Sequence, residues 1–75
     1  MSLEQFIQTL APAFMESACL LSAETRFKEL SDWNSLAALM IITTIGQECG
    51  VSLGADDLFN ADTIADLYET VCQKQ

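Results

Sequence analysis

Apolar side chains recur at helical intervals in three stretches of the chain. In the first, Leu3, Phe6, Ile7, Leu10 and Phe14 draw one stripe. Ser2 stands three residues ahead of Gln5, the spacing of a capping box that satisfies free backbone donors at a helix start. This pattern predicts a helix over about residues 3–16. Pro12 predicts where it bends or breaks, near residues 8 to 12, because its ring clashes with the carbonyl of Gln8. In the second stretch Leu36, Leu39, Ile42, Ile45 and Cys49 share a face, with Ile41 beside them. A helix from Ser35 to Cys49 follows, with Gly50 as its left-handed cap. In the third, Ile64, Leu67, Tyr68 and Val71 supply the buried face of a last helix, which starts at the Thr63 and Asp66 pair.

Between these stretches the pattern is weaker. Val51 and Leu53 turn the chain back onto the core, and Asp56, Asp57, Leu58 and Phe59 read as one short helical turn with acids at its positive end. Residues 17–34 have no clear period. Leu20, Leu21, Phe27, Leu30 and Trp33 are spaced as anchors of an ordered loop over the core. A connection of that length in a small domain is usually functional. No run alternates strictly between apolar and polar, so the expected fold is all-α: three main helices and one short one in a four-helix bundle. Without repeats, low-complexity stretches or a linker, residues 1–75 form one domain.

Composition narrows the functions open to such a domain. At 51% hydrophobic residues it buries a core, though a thin one for 75 residues. Its longest apolar run, Leu36 to Ile42, falls far short of the roughly 20 residues that cross a bilayer. No basic region precedes an apolar stretch at the N-terminus, which predicts a cytoplasmic protein without a secretory signal. Eleven acids against three bases leave a net charge of −8. Nucleic acid and anionic membranes are repelled by that surface, and basic partner proteins are attracted. Plain solubility of a small apolar domain is an equal explanation of the charge.

Enzyme chemistry finds little to work with. The chain has no histidine, so neither a Ser-His nor a Cys-His pairing exists. Lys28 and Lys74 sit in polar sequence surroundings, and the glycines at 46, 50 and 54 form no phosphate loop. Asp56 and Asp57 are adjacent, so they point different ways on a helix. Cys19, Cys49 and Cys72 are far apart without C-x-x-C spacing, which predicts reduced, buried thiols and no metal site. No catalytic residue emerges.

One passage remains, Phe27-Lys28-Glu29-Leu30-Ser31-Asp32-Trp33-Asn34-Ser35-Leu36. Ser35 stands where a long loop meets an apolar helix, at the positive end of the helix dipole, where a phosphodiester is favoured. By position alone an ordinary N-cap serine explains it better. The wider pattern points elsewhere. Asn34-Ser35-Leu36 resembles the Asp-Ser-Leu signature of acyl and peptidyl carrier proteins, placed near mid-chain at the start of the second helix. Thr25-Arg26-Phe27, Gly50-Val51-Ser52-Leu53 and Thr63-Ile64-Ala65-Asp66-Leu67 resemble that family's loop, turn and closing helix. Trp33 is similar to the Trp of a carrier subgroup whose motif reads Trp-Asp-Ser-Leu.

The resemblance covers essentially the whole chain and implies a non-catalytic, monomeric carrier. Ser35 becomes the attachment residue for 4'-phosphopantetheine, whose thiol holds acyl or aminoacyl cargo as a thioester. Asp32, Trp33, Asn34 and Leu36 become the segment a phosphopantetheinyl transferase reads, with Leu36 packed behind Ser35. A loading ligase or acyltransferase, and enzymes that modify or offload the cargo, complete the implied partners. Leu30, Trp33, Leu39, Ile42 and Ile64 would line a cleft for a short acyl chain. The chain departs from the family at two points. Position 34 is Asn instead of Asp, which keeps the capping oxygen and removes the charge. The outer face of the second helix is nearly bare of acids, with Glu48 alone among Ala37, Ala38, Met40, Thr43, Thr44 and Gln47. Docking is therefore expected to rest on apolar contact at Ala37, Met40 and Thr43, with Asp32, Asp56 and Asp57 guiding approach. This leans toward a specialised fatty-acid, polyketide or peptide pathway. The rival reading is an unmodified carrier-fold interaction module.

Overall fold

The computed structural model describes residues 2–75, and the backbone alone for residues 15–19. Among the described residues there are four α-helices and no strand: α1 (Leu3–Leu10), α2 (Ser35–Cys49), α3 (Ala55–Asn60) and α4 (Ile64–Lys74). Two 3-10 helices, Ala11–Leu20 and Phe27–Glu29, fall between α1 and α2. The all-α expectation holds.

Helix α1 starts as its capping box requires: Gln5 N–H donates to Ser2 Oγ at 3.1 Å, and Ser2 N–H to Gln5 Oε1 at 3.0 Å. It ends at Leu10, earlier than the expected residue 16, because Pro12 cannot continue the α ladder. The chain keeps turning as a 3-10 helix to Leu20, so residues 17–20 are not loop as expected. A 3-10 run of that length is uncommon.

Residues 21–34 do form an ordered connection. Phe27 is fully buried, with its ring edge-on to Trp33 at 5.3 Å, while Trp33 stacks on Phe14 at 6.3 Å. The loop also caps α4: Ala23 and Thr25 carbonyls accept the N–H groups of Ala65 and Ile64 at 3.0 and 3.1 Å, satisfying donors a helix start leaves free. Leu20, expected as an anchor, is exposed.

Helix α2 runs over the expected residues and ends at Gly50, whose φ of 68° is left-handed. Its buried face is not the expected one. Ala37, Ile41 and Ile45 enter the core, whereas Leu36 and Leu39 are 65% and 60% exposed. The start of the helix is apolar nearly all round, so spacing alone could not choose the face; the packing partners did. Val51 and Leu53 are buried and return the chain to the core as expected. In α4, Thr63 and Asp66 form the predicted box, and Ile64, Leu67 and Val71 are buried. Phe6 meets Tyr68 edge-to-face at 5.3 Å, joining α1 to α4. Of the thiols, Cys49 is half-buried and Cys72 exposed, which corrects the expectation of buried cysteines; Cys19 lies outside the described side chains.

Candidate functional site

The start of α2 assigns the capping role to Asn34, not to Ser35. Asn34 is extended, and its Oδ1 accepts the Ala37 N–H at 2.8 Å. Ser35 is thereby the first residue inside the helix. It is exposed, and its hydroxyl makes no hydrogen bond among the described residues. The ordinary N-cap explanation of Ser35 thus fails, because the neighbouring amide already does that work.

Two hollows flank this helix start. The larger, about 650 Å³, runs between α2 and α3. Ser35, Ala38, Leu39 and Ile42 form its α2 wall, Ala55, Leu58 and Phe59 its α3 wall, and Trp33, Asn34 and Lys28 its loop side. The smaller, about 280 Å³, is bounded by Pro12, Ala13, Asp32, Asn34, Leu36, Ala37 and Met40. Of the expected cleft residues, Trp33, Leu39 and Ile42 are present. Ile64 is fully buried in the core and Leu30 packs half-buried against it, so neither lines the groove.

The flanking residues divide in the same way. Trp33 and Asn34 share the groove with Ser35, whereas half-buried Asp32 faces the smaller hollow with Leu36 and Met40. Leu36 does not pack behind Ser35 as expected; it projects outward. Ala37 is only 3% exposed and belongs to the buried face of α2, which removes it from any docking surface. Met40 and Thr43 are exposed on α2, and Asp56 is exposed on the first turn of α3. Asp57 is occupied: its Oδ2 accepts the Gly54 N–H at 2.9 Å and lies 3.4 Å from Lys74 Nζ. The Gly54 amide, and secondarily Lys74, hold its carboxyl below the ordinary range.

Lys28 and Phe59 are the site residues that sequence patterning missed. Lys28 Nζ donates to the Phe59 carbonyl at 2.6 Å and stands 5.6 Å from the Phe59 ring centroid and 6.0 Å from that of Phe27. Its surroundings are aromatic, not polar. Phe59 is 82% exposed, the most exposed large apolar side chain described. Nothing in local sequence pairs residues 28 and 59, which are 31 positions apart.

This arrangement suits a covalent arm. An exposed, unengaged hydroxyl at the positive end of a 15-residue helix can carry a phosphodiester, and an apolar groove opens beside it. No metal-binding cluster of His, Cys, Asp or Glu occurs among the described residues. No helix described is long and apolar enough to cross a membrane.

The family model described as "Phosphopantetheine attachment site" matches residues 4–71. No match was found among curated proteins or among solved structures. Members of this family carry covalently attached 4'-phosphopantetheine, work with phosphopantetheinyl transferases and biosynthetic enzymes, and are generally carriers and not catalysts. With the match spanning nearly the whole chain, from α1 to the last turns of α4, the chain belongs to the phosphopantetheine-attachment family of acyl and peptidyl carrier proteins.

Proposed function

We propose that Ser35 is the attachment residue and that the chain carries acyl intermediates for a specialised pathway. The observation that carries this reading is the division of labour at the helix start: Asn34 caps α2, leaving the Ser35 hydroxyl exposed and unengaged at the mouth of the groove. In transfer, Ser35 Oγ forms a phosphoester bond while the pyrophosphate bond of coenzyme A breaks and adenosine bisphosphate leaves. The hydroxyl proton must pass to a base of the transferase, since this chain has no histidine. Once attached, the arm supplies a thiol that holds cargo as a thioester. The carrier's own contribution is tethering, which gives each partner a high effective concentration of substrate.

Partner recognition rests on the apolar side chains around Ser35. Leu36, Leu39, Met40 and Phe59 are exposed there, and α2 presents no acid in its first turn. A transferase, a loading ligase or acyltransferase, and offloading enzymes would dock on this face, Met40 adapting to each. Asp32, Trp33, Asn34 and Leu36 form the segment read by the transferase; Thr43 borders the docking face, and Asp56, with partly neutralised Asp57, adds attraction from α3. We place the carrier in the cytoplasm, where coenzyme A is available, and expect a monomer.

The test is an intact-mass measurement after incubation with coenzyme A and a broad-specificity transferase, beside Ser35→Ala. A gain of one phosphopantetheine that the Ala variant lacks is expected. Equal gain in both proteins would move the attachment elsewhere. No gain from several transferases, or in protein purified from its native cell, would leave an unmodified interaction module.

A further inference from the structure

Helix α3 has six residues, too few to be stable as a helix alone, and Leu58 is the only one of them that is buried. Gly54, at its N-cap, has no side chain to accept a free N–H. With one apolar anchor, α3 depends on contacts at its ends, and at each end stands a lysine from elsewhere in the chain. Lys74, in the last turn of α4, places Nζ 3.4 Å from Oδ2 of Asp57 in the first turn of α3. Lys28, from the connection before α2, donates to the Phe59 carbonyl at 2.6 Å, toward the negative end of α3. The same ammonium stands 5.6 Å from the centre of the exposed Phe59 ring. The chain has no other lysine, and Arg26, its remaining base, pairs with Glu29 at 3.5 Å within its own turn. Both lysines of an acidic chain thus engage one short helix.

We propose that α3 is a latched flap: Lys28 and Lys74 tie its two ends to the loop and to α4, and screening or removing their charge releases it while α1, α2 and α4 stay folded. Release moves Asp56 and Phe59, the exposed residues of α3 nearest its two ends, and so reshapes the surface flanking Ser35. The response to salt separates this motion from unfolding of the whole chain. At a net charge of −8, added salt relieves repulsion and steadies the bundle. The same salt weakens two cation contacts at the surface, so α3 loosens under conditions that favour the rest. The latch belongs to the bare chain and stands whether or not Ser35 carries an arm.

The experiment is native-state hydrogen exchange of backbone amides, read by NMR at about 0.01 and 0.15 M salt. The reporters in α3 are Asp57 and Ala61, whose N–H groups donate to the Gly54 and Asp57 carbonyls at 3.1 and 3.3 Å. Ile41, Ile45, Leu67 and Val71, all buried, report on α2 and α4. In the unaltered protein the higher salt should speed exchange in α3 about two- to fivefold, the range expected of exposed charge pairs, and leave α2 and α4 unchanged or slower. Lys28→Met, which keeps the apolar stem, should speed exchange in α3 by a similar factor at low salt and reduce the effect of salt. Lys74→Met should do the same, the double variant should multiply the two, and Lys28→Arg should keep the latch. Exchange in α3 that slows with salt, or that both Met variants leave unchanged, would overturn the inference. So would a parallel rise in α2 and α4, which would make the lysines supports of the whole bundle. Should a Met variant fail to fold, the salt series on the unaltered protein decides by itself.

Discussion

At the scale of single residues, the decisive pair is Asn34 and Ser35. A helix start needs one side-chain acceptor for its free N–H groups, and two adjacent residues here could each supply it. Asn34 takes the role, at 2.8 Å from the Ala37 amide, and so the Ser35 hydroxyl is left exposed and unengaged among the described residues. The family's usual Asp would serve the same bond and add a charge favourable to the dipole. Asn34→Ala is therefore expected to cost about 1 kcal/mol of stability, and Asn34→Asp to be neutral or stabilising by a few tenths. Urea unfolding reads both; an Asp variant less stable than the unaltered protein would show that local negative charge, from Asp32 for instance, opposes the substitution.

At the scale of elements, caps and breakers act where the chain puts them. Pro12 ends α1, and Gly50 ends α2 at a φ of 68°. Open space surrounds a Cβ built at Gly50, so a side chain there would be opposed by backbone strain and not by crowding. The cap of α4 adds a pH dependence. Backbone N–H groups of Thr63 and Asp62 hold the Asp66 carboxyl below its ordinary value of 3.8, the Thr63 hydroxyl adding to the effect. A folded-state value below the unfolded one means that the contribution is complete above the unfolded value and disappears as pH falls through the folded one. Asp57, lowered chiefly by the Gly54 amide, acts in the same direction on α3. Thermal melts should thus be steady at mildly acidic pH and fall below about pH 4. Asp66→Asn should soften that fall. An unchanged acid limb in the variant would remove the α4 cap from the account.

At the scale of the whole molecule, a net charge of −8 on 75 residues sets repulsion against a thin core. That core is drawn from every part of the chain: Phe6 and Leu10 from α1, Phe14 from the 3-10 helix, Phe27 from the loop, Ile41 and Ile45 from α2, and Ile64 and Leu67 from α4. The ion pairs at Arg26 and Lys74 are at the surface and offset little of the repulsion. Raising salt from about 0.01 to 0.15 M, which shortens the Debye length from roughly 30 to 8 Å, should therefore raise the melting temperature. A fall would mean that the paired charges outweigh the unpaired ones. The same salt should slow association with a basic partner, because approach is steered by the surplus charge.

Helix starts, helix stops and the bundle class were legible in the sequence because they depend on neighbours three or four positions apart. Ser2 with Gln5, Thr63 with Asp66, Pro12 and Gly50 each act within a turn of themselves, and Ser35 was conspicuous as the serine beginning an apolar helix after a long connection. The face of α2 was not legible, since its first turns are apolar on all sides and only packing into the core shared with α1 and the 3-10 helix that follows it decides which side is inside. That is why Leu36 and Ala37 exchange their expected places, and why Ile64 lies in the core while Leu58 lines the groove. The groove's one cation was equally hidden: Lys28 and Phe59 meet across 31 residues, and only the packing of the loop on α3 brings that charge beside Ser35.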